Sequence, residues 1–279
     1  MSRAPLLPER KRPLVFAHRG CSSLAPENTM ASFKKARECG APGIELDIHV
    51  TLDGKLIVAH DDNFLRTALP GNNGNGKKVE ELTLDEIRHI DVGSFFGKEW
   101  QSERPPLLED VLEEFCPDMY VDIELKSRKR KDDPLPILLA EKLKSLNQTI
   151  SPSVTVSSFN PFCLKTFKEE WKKIQNANAA KKIMDIPTAI IWCADREVPP
   201  ILRYGFGRFL SGCDYLKPIH EQVTAFTALW LSKMIGWSIV PWTVDDSLLA
   251  KKMICLGCEG IITNRPQDLA NIFSSPACC

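Results

Sequence analysis

Short apolar runs alternate with stretches of helical periodicity along almost the entire chain, and this alternation limits the folds open to it. The apolar runs occupy residues 14–17, 43–50, 56–59, 119–125, 154–158, 187–193, 213–216, 238–244 and 260–263. Helical periodicity marks residues 28–39, 107–115, 135–146, 161–171, 223–235 and 248–256. Strands that alternate with such helices form βαβ units and a parallel sheet. Because no linker-like break interrupts the alternation, it predicts an α/β fold of the closed (β/α)8, or TIM barrel, type.

One strand candidate is surplus to an eight-stranded barrel, and a β-hairpin accounts for it. Asp53-Gly54 separates the run that ends at Leu52 from the run that begins at Lys55, and Asp-Gly is a strong hairpin signal. The return arm is then an antiparallel extension of the barrel. A two-residue turn would place Leu52 opposite Lys55 and Asp47 opposite His60.

The segment after the hairpin predicts an insertion at the C-terminal, active-site mouth of the barrel. Residues 62–106 begin with a Gly- and Asn-rich stretch and contain a single short helical segment at 84–90. The 279 residues fit one barrel domain, since such barrels take roughly 250 residues. We therefore expect a single domain over 1–279, with its core at about 14–270.

Charge and hydropathy exclude several partners. Lys and Arg number 36, as do Asp and Glu, so the chain lacks the basic excess of nucleic-acid-binding proteins. No apolar run approaches the roughly 20 residues of a transmembrane segment, and the N-terminus has no apolar core of a secretory signal. These features predict a cytoplasmic protein that does not bind nucleic acid and has no transmembrane segment.

Two strands carry carboxylates on the face that turns toward the barrel interior. In residues 43–50, Ile44 and its alternate neighbours suit the helix-covered outer face, which turns Glu45 and Asp47 inward. The same alternation in residues 121–126 turns Glu124 and Lys126 inward. Charges in a barrel interior are costly unless they are paired or bound to metal.

Further polar side chains stand where strands end. The first strand ends at His18-Arg19, and the hairpin returns His60 toward Asp47. Active sites of (β/α)8 enzymes are built at the carboxyl ends of the strands. The sequence therefore predicts that two histidines, three carboxylates and two cations ring one mouth.

This set of side chains indicates phosphoryl transfer on a phosphate ester. Three carboxylates without a soft ligand suit a hard divalent cation such as Mg²⁺ or Ca²⁺. Imidazole titrates near neutral pH, so His18 and His60 are candidates for general acid and general base. Arg19 and Lys126 are candidates for holding an anionic phosphate.

The motifs resemble those of the glycerophosphodiester phosphodiesterase family, and they stand in the same order over residues 14–270. They are His18-Arg-Gly, Pro26-Glu-Asn-Thr29, Glu45-Leu-Asp47, Asp53-Gly54, His60-Asp61, Pro106-Leu-Leu-Glu-Asp-Val-Leu112, Glu124-Leu-Lys126, Ser157-Ser-Phe159, Trp242-Thr-Val and Gly260-Ile-Ile-Thr263. The resemblance implies a (β/α)8 barrel with a divalent metal on Glu45, Asp47 and Glu124 and catalysis by His18 and His60. It also implies that Arg19 and Lys126 contact the phosphate and that Trp242 lines the site. Asn264 departs from the pattern, since the family usually has Asp there.

We therefore predict metal-dependent hydrolysis of a small-molecule glycerophosphodiester to an alcohol and glycerol 3-phosphate. Two alternatives stay open: a lysophospholipase D, and an inactive barrel that binds phosphorylated ligands. An apolar groove beside the mouth, formed by Phe64, Phe95, Phe96 and Trp100 of the insertion, would favour the lysophospholipase D. The alcohol, the choice between Mg²⁺ and Ca²⁺ and the nucleophile, a substrate hydroxyl or water, are not determined at this stage.

Overall fold

Parallel strands and helices alternate in the computed structural model, which describes residues 13–150, 153–178, 183, 185–196 and 198–269. The strands of this part of the chain are β1 (Leu14–His18), β2 (Gly43–Val50), β3 (Leu56–Val58), β4 (Tyr120–Leu125), β5 (Val154–Ser158), β6 (Thr188–Trp192), β7 (Tyr215–Pro218), β8 (Ser238–Ile239) and β9 (Gly260–Thr263). Its α-helices are α1 (Met30–Glu38), α2 (Leu84–Ile87), α3 (Leu108–Phe115), α4 (Pro134–Ile150), α5 (Pro161–Ala177), α6 (Gly207–Ser211), α7 (Ala225–Ala228), α8 (Ser247–Cys255) and α9 (Pro266–Leu269). Shorter 3-10 turns occupy Gly74–Gly76, Val79–Glu81, Lys98–Trp100, Pro200–Leu202 and His220–Gln222, and Leu229–Met234 is a π-helical segment.

Eight of the strands form a parallel barrel, as predicted. Their order is β8, β7, β6, β5, β4, β2, β1, β9, while β3 lies outside this order and pairs with β2. Three backbone hydrogen bonds join the two ends of this order: Glu259 N to Ile239 O at 3.0 Å, Ile262 N to Pro241 O at 2.9 Å, and Val244 N to Ile262 O at 2.8 Å. The eighth strand is shorter than the predicted run 238–244, because Pro241 has no N–H for a ladder.

The two faces of the strands bury different sets of side chains. Outward-facing Ile44, Leu46 and Ile48 pack in the same apolar cluster as Phe33 of α1 and Leu112 of α3. A second cluster fills the interior with alternate residues of the strands: Leu14, Phe16, Tyr120, Ala189, Tyr215, Val240 and Ile262. The predicted orientation of β2 is therefore confirmed. This cluster forms an apolar layer of the barrel interior, and the polar inward residues lie between it and the carboxyl-end mouth.

The β2–β3 hairpin exists, but its predicted register is wrong by one residue. Val50 pairs with Leu56, and the amide of Ala59 donates to Asp47 O at 3.0 Å, so Ala59 stands where His60 was expected. The turn contains three residues because Thr51 closes it: Thr51 N donates to Lys55 O at 2.9 Å, and Lys55 N donates to Thr51 Oγ1 at 2.8 Å. Gly54, with φ of 75°, takes the left-handed position that such a turn requires.

The predicted insertion packs around an apolar cluster of its own. Phe64, Val79, Leu82 and Ile87 lie in this cluster together with Ile57 of β3. Phe64 is 1% exposed, so it does not contribute to the apolar groove that would favour a lysophospholipase D. Its aromatic ring is more favourably buried beneath the insertion than left in water.

The remaining groove candidates are more accessible. Phe96 is 39% exposed and meets the ring of Phe95 edge-on, while Phe95 and Trp100 are half-buried.

In the part of the chain that the structure describes, no helix combines the length and apolarity needed to cross a membrane. Residue 270, the predicted end of the core, lies outside that part.

Candidate active site

Three buried carboxylates meet at the mouth of the barrel, where the sequence predicted them. Parallel pairing sets Asp47 of β2 beside Glu124 of β4, and Glu45 lies two residues earlier on the same face of β2. One oxygen from each of Glu45, Asp47 and Glu124 lies within 4.8 Å of the other two. Ionised carboxylates this close, with 2%, 1% and 8% exposure, are costly unless a cation pairs with them.

The electrostatics of this carboxylate cluster fit a hard cation. Burial, and after it the charge of Asp47, raises the pKa of Glu45 well above its ordinary value. Burial acts against ionisation of Asp47 as well, but Lys126 and Arg19 outweigh it and lower the pKa of Asp47. Among the described residues, Asp47 Oδ1 finds no hydrogen-bond partner although it is buried. Oxygen ligands and an orphaned carboxylate oxygen are what a divalent metal site offers.

Two cations border the carboxylate cluster. Lys126 Nζ donates to Glu124 Oε1 at 3.0 Å and lies 3.5 Å from Asp47 Oδ1. Arg19 Nε lies 3.5 Å from Asp47 Oδ2, while its Nη1 donates to Glu27 Oε1 at 2.9 Å. The backbone amide of Arg19 donates to Glu45 Oε2 at 3.1 Å. The positive charges therefore stand at the rim of the site, where an anionic ligand would meet them.

His18 is fixed by the residue that departs from the family pattern. Its Nδ1 lies 2.6 Å from Asn264 Oδ1, and an amide oxygen only accepts, so Nδ1 carries the proton. Its Nε2 is left 4.0 Å from Glu45 Oε2. Burial, and next the charge of Arg19, lowers the pKa of His18 to about 4. Asn264 is held in turn by Asp245 Oδ2, to which its Nδ2 donates at 2.8 Å.

His60 approaches the carboxylate cluster by a route other than the predicted cross-strand pairing. The chain leaves the ladder after Ala59, and His60 Nδ1 bonds Asp61 Oδ1 at 2.6 Å. The charge of His60 is among those that lower the pKa of Asp47, and it also acts on His18. A bend outside the ladder thus keeps His60 near the carboxylates despite the shifted register.

Trp242 follows β8 and lies beside the inner cluster of the barrel. Its Nε1 donates to Lys217 O at 3.0 Å, and its ring meets Phe159 edge-on with centroids 5.6 Å apart. The indole is half-buried. The structure therefore places all eight predicted site residues at the carboxyl ends of β1, β2, β4 and β8 and just beyond β3.

The residue-level prediction missed several groups that support the site. Asn28 Nδ2 donates to Asp47 Oδ2 at 2.9 Å, and a glycine-like φ of 56° aims it there. Beneath the carboxylates, Lys217 Nζ donates to Asp122 Oδ2 at 2.7 Å and to Ser157 Oγ at 2.9 Å. The alternation of β4 signals that Asp122 faces inward, but nothing near Lys217 in the sequence names its partner.

Comparisons with known proteins agree with this geometry. The sequence profile described as the glycerophosphoryl diester phosphodiesterase family matches residues 18–268. A glycerophosphodiester phosphodiesterase of Caldanaerobacter subterraneus subsp. tengcongensis is 34% identical over 260 residues, which cover 93% of this chain and 97% of that protein. Another, of Bacillus altitudinis, is 30% identical and covers 92% of this chain and 97% of its own. An Oleispira antarctica phosphodiesterase, solved with the product sn-glycerol-3-phosphate, shares the fold with a TM-score of 0.75 at 24% identity, over 94% of this chain and 97% of that one.

Proposed function

Because the chain belongs to the glycerophosphoryl diester phosphodiesterase family, a family of hydrolases, we propose that it hydrolyses a small-molecule glycerophosphodiester to an alcohol and glycerol 3-phosphate. The observation that carries the proposal is the convergence of Glu45, Asp47 and Glu124 at one point of the barrel mouth. Two histidines and two cations border that point. Acids, bases and anion-binding groups are thus combined within one small site.

Glu45, Asp47 and Glu124 would hold a divalent metal ion, Mg²⁺ or Ca²⁺. When bound, the ion supplies positive charge that offsets the negative charge developing on the phosphate oxygens. Without the ion, burial and Asp47 raise the pKa of Glu45, and a bound cation would favour the ionised form that a ligand needs. The buried, unbonded Oδ1 of Asp47 supports this assignment.

His18 is the proposed general base. The bond to Asn264 places its proton on Nδ1, so Nε2 has a free lone pair facing the site. Burial and the neighbouring Arg19 disfavour the cationic ring, which keeps His18 neutral and able to accept a proton. His18 Nε2 would accept this proton from the nucleophile, which is either water or a hydroxyl of the substrate.

His60 is the proposed general acid. The hydrogen bond from His60 lowers the pKa of Asp61, and the hydrogen bond from Arg66 lowers it further. Asp61 therefore stays ionised. The bond to Asp61 holds the ring through Nδ1, so that Nε2 can donate a proton to the leaving oxygen. Arg19 and Lys126 would hold the phosphate oxygens, and Trp242 would line the pocket for the rest of the substrate.

Of the two alternatives, neither gains a specific observation. Burial of Phe64 removes one wall of the groove that a lysophospholipase D would use for an acyl chain. An inactive barrel has no need of two histidines whose Nδ1 atoms are both fixed by acceptors.

The deciding experiment compares glycerophosphocholine, glycerophosphoethanolamine, glycerophosphoinositol and lysophosphatidylcholine side by side. We expect glycerol 3-phosphate from at least one glycerophosphodiester, loss of turnover after chelation, and recovery with Mg²⁺ or Ca²⁺. The same ions should raise the Tm of the metal-free protein, because a ligand that binds only the folded state stabilises it. Glu124→Gln should show neither recovery of turnover nor a rise in Tm when Mg²⁺ or Ca²⁺ is added. Turnover of the lysophospholipid alone, or full activity without metal, would contradict the proposal.

A further inference from the structure

Arg66, in the insertion, makes hydrogen bonds to two different sides of the site. Its Nε donates to Asp61 Oδ2 at 2.7 Å, and its Nη1 and Nη2 donate to Glu27 at 2.9 and 2.7 Å. An isolated surface ion pair contributes little, and Arg66 is 47% exposed. This contact differs because it is a fork of three bonds to two carboxylates that are only 16% and 29% exposed.

Each carboxylate that Arg66 binds holds one residue of the proposed mechanism. Glu27 Oε1 accepts from Arg19 Nη1 at 2.9 Å, and Asp61 Oδ1 bonds His60 Nδ1 at 2.6 Å. The chain of contacts therefore runs from His60 through Asp61, Arg66 and Glu27 to Arg19. It joins a histidine that follows β3 to an arginine that follows β1.

The charge balance of this chain of contacts depends on Arg66. Against the effect of burial, the bonds from Arg66 lower the pKa of Glu27. Without the guanidinium, two ionised carboxylates would face a mouth that already contains Glu45, Asp47 and Glu124. Repulsion would turn them away from the positions in which they orient Arg19 and His60.

We propose that Arg66 is a positioning residue that fixes His60 and Arg19 relative to each other by bridging Asp61 and Glu27. The proposal rests on the proposed function, in which His60 transfers a proton and Arg19 binds the phosphate. It assigns the insertion a task in the reaction, and it requires the planar fork of arginine, which a lysine does not offer.

The test separates the two arms of the bridge by kinetics. With glycerophosphocholine, or whichever glycerophosphodiester the wild type hydrolyses fastest, Asp61→Asn should lower kcat by about 10²-fold with little change in KM. Glu27→Gln should raise KM about tenfold with little change in kcat, the cost of one charged hydrogen bond. Arg66→Ala should both lower kcat and raise KM by these factors. Arg88→Ala, an exposed arginine of the same insertion, is the matched control and should do neither.

Double variants distinguish positioning from a general structural role. In an Asp61→Asn background the contact of Arg66 with Asp61 is already lost, so Arg66→Ala should change only KM. In a Glu27→Gln background the contact with Glu27 is already lost, so Arg66→Ala should change only kcat. Additive losses in both parameters would overturn the proposal. So would kcat and KM within twofold of the wild type in Arg66→Ala.

A spectroscopic readout keeps this test independent of activity. The Nδ1 proton of His60 should give a downfield resonance in ¹⁵N-labelled protein, assigned as the one that changes position in Asp61→Asn. It should move upfield in Arg66→Ala and stay in place in Arg88→Ala. If the wild type hydrolyses no glycerophosphodiester, the proposed function fails while this resonance still tests the bridge. Should Arg66→Ala not fold, Arg66→Lys decides: wild-type kcat, KM and resonance in that variant would overturn the proposal.

Discussion

The two histidines differ in the group that binds Nδ1, and the roles proposed for them follow from this difference. His18 meets the neutral amide oxygen of Asn264, whereas His60 meets the carboxylate of Asp61. Either acceptor fixes the tautomer of the ring, but a neutral amide oxygen stabilises its cation less than a charged carboxylate does. Where the family usually has Asp, Asn264 therefore favours a neutral His18.

Replacing either histidine tests its role directly. His18→Ala and His60→Ala should each lower kcat by about 10²–10⁴-fold, since each removes one of the two groups proposed to transfer a proton. His89→Ala, an exposed histidine of the insertion, is the control and should retain wild-type kcat. A loss smaller than tenfold in either site variant would assign that histidine another task.

The lowered pKa of His18 also predicts how stability depends on pH. The folded state resists protonation down to pH about 4, while the unfolded chain binds a proton near pH 6.5. The contribution of His18 to the free energy of unfolding is therefore complete above pH 6.5 and is lost as the pH falls toward 4. At about 1.4 kcal/mol for each pKa unit, the loss amounts to about 3 kcal/mol. Urea unfolding of metal-free wild type and His18→Asn at several pH values measures it. Parallel pH profiles for the two proteins would contradict the prediction.

At the scale of the element, the β2–β3 hairpin shows how a turn changes what a strand presents. The Asp-Gly pair predicted a two-residue turn, but the hydroxyl of Thr51 donates to Asp53 Oδ1 at 2.6 Å and stabilises a three-residue turn. The register then shifts by one, which alone would send His60 to the opposite face. Departure of the chain from the ladder after Ala59 compensates for the shift.

Thr51→Val tests the cause of that turn. Loss of the hydroxyl leaves the amide of Lys55 and the side chain of Asp53 without this partner, so the free energy of unfolding should fall by about 1 kcal/mol. Leu52→Ala at the 64% exposed tip is the control and should change it by less than about 0.5 kcal/mol. Equal stability of the two variants, measured by urea unfolding, would rule out Thr51 as the closing residue.

At the scale of the whole molecule, barrel closure pairs charges that are far apart in the chain. Lys217 of β7 and Asp122 of β4 form an ion pair at 2.7 Å with 1% and 0% exposure. Against the effect of burial, Asp122 raises the pKa of Lys217, so the amine stays charged beneath Glu45. The lysine thereby supplies positive charge to the interior side of the carboxylate cluster.

Lys217→Met should lower the free energy of unfolding by about 3–5 kcal/mol, because it strands the buried charge of Asp122. Lys168→Met is a matched control: it breaks a lysine–aspartate pair with Asp214 that is 33% and 41% exposed, and it should cost about 1 kcal/mol or less. Adding Asp122→Asn to Lys217→Met should restore part of the loss. Similar losses in the two single variants would contradict a buried ion pair as the source.

The sequence by itself determined the barrel, the inward face of β2 and β4 and the identity of the three carboxylates. Strand periodicity is local, and the cost of a buried charge applies to each residue separately, so both can be read along the chain. Only the tertiary structure decided the groups that depend on distant partners: Asn264 on His18, Lys217 beneath Glu45, and Arg66 between Glu27 and Asp61. The register of the β2–β3 hairpin was also decided by the tertiary structure, because the hydroxyl of Thr51 outweighed the preference of Asp-Gly for a two-residue turn. Hydrogen bonds between side chains are short-ranged and directional, so closure of the barrel had to bring the strand ends together before these contacts were defined.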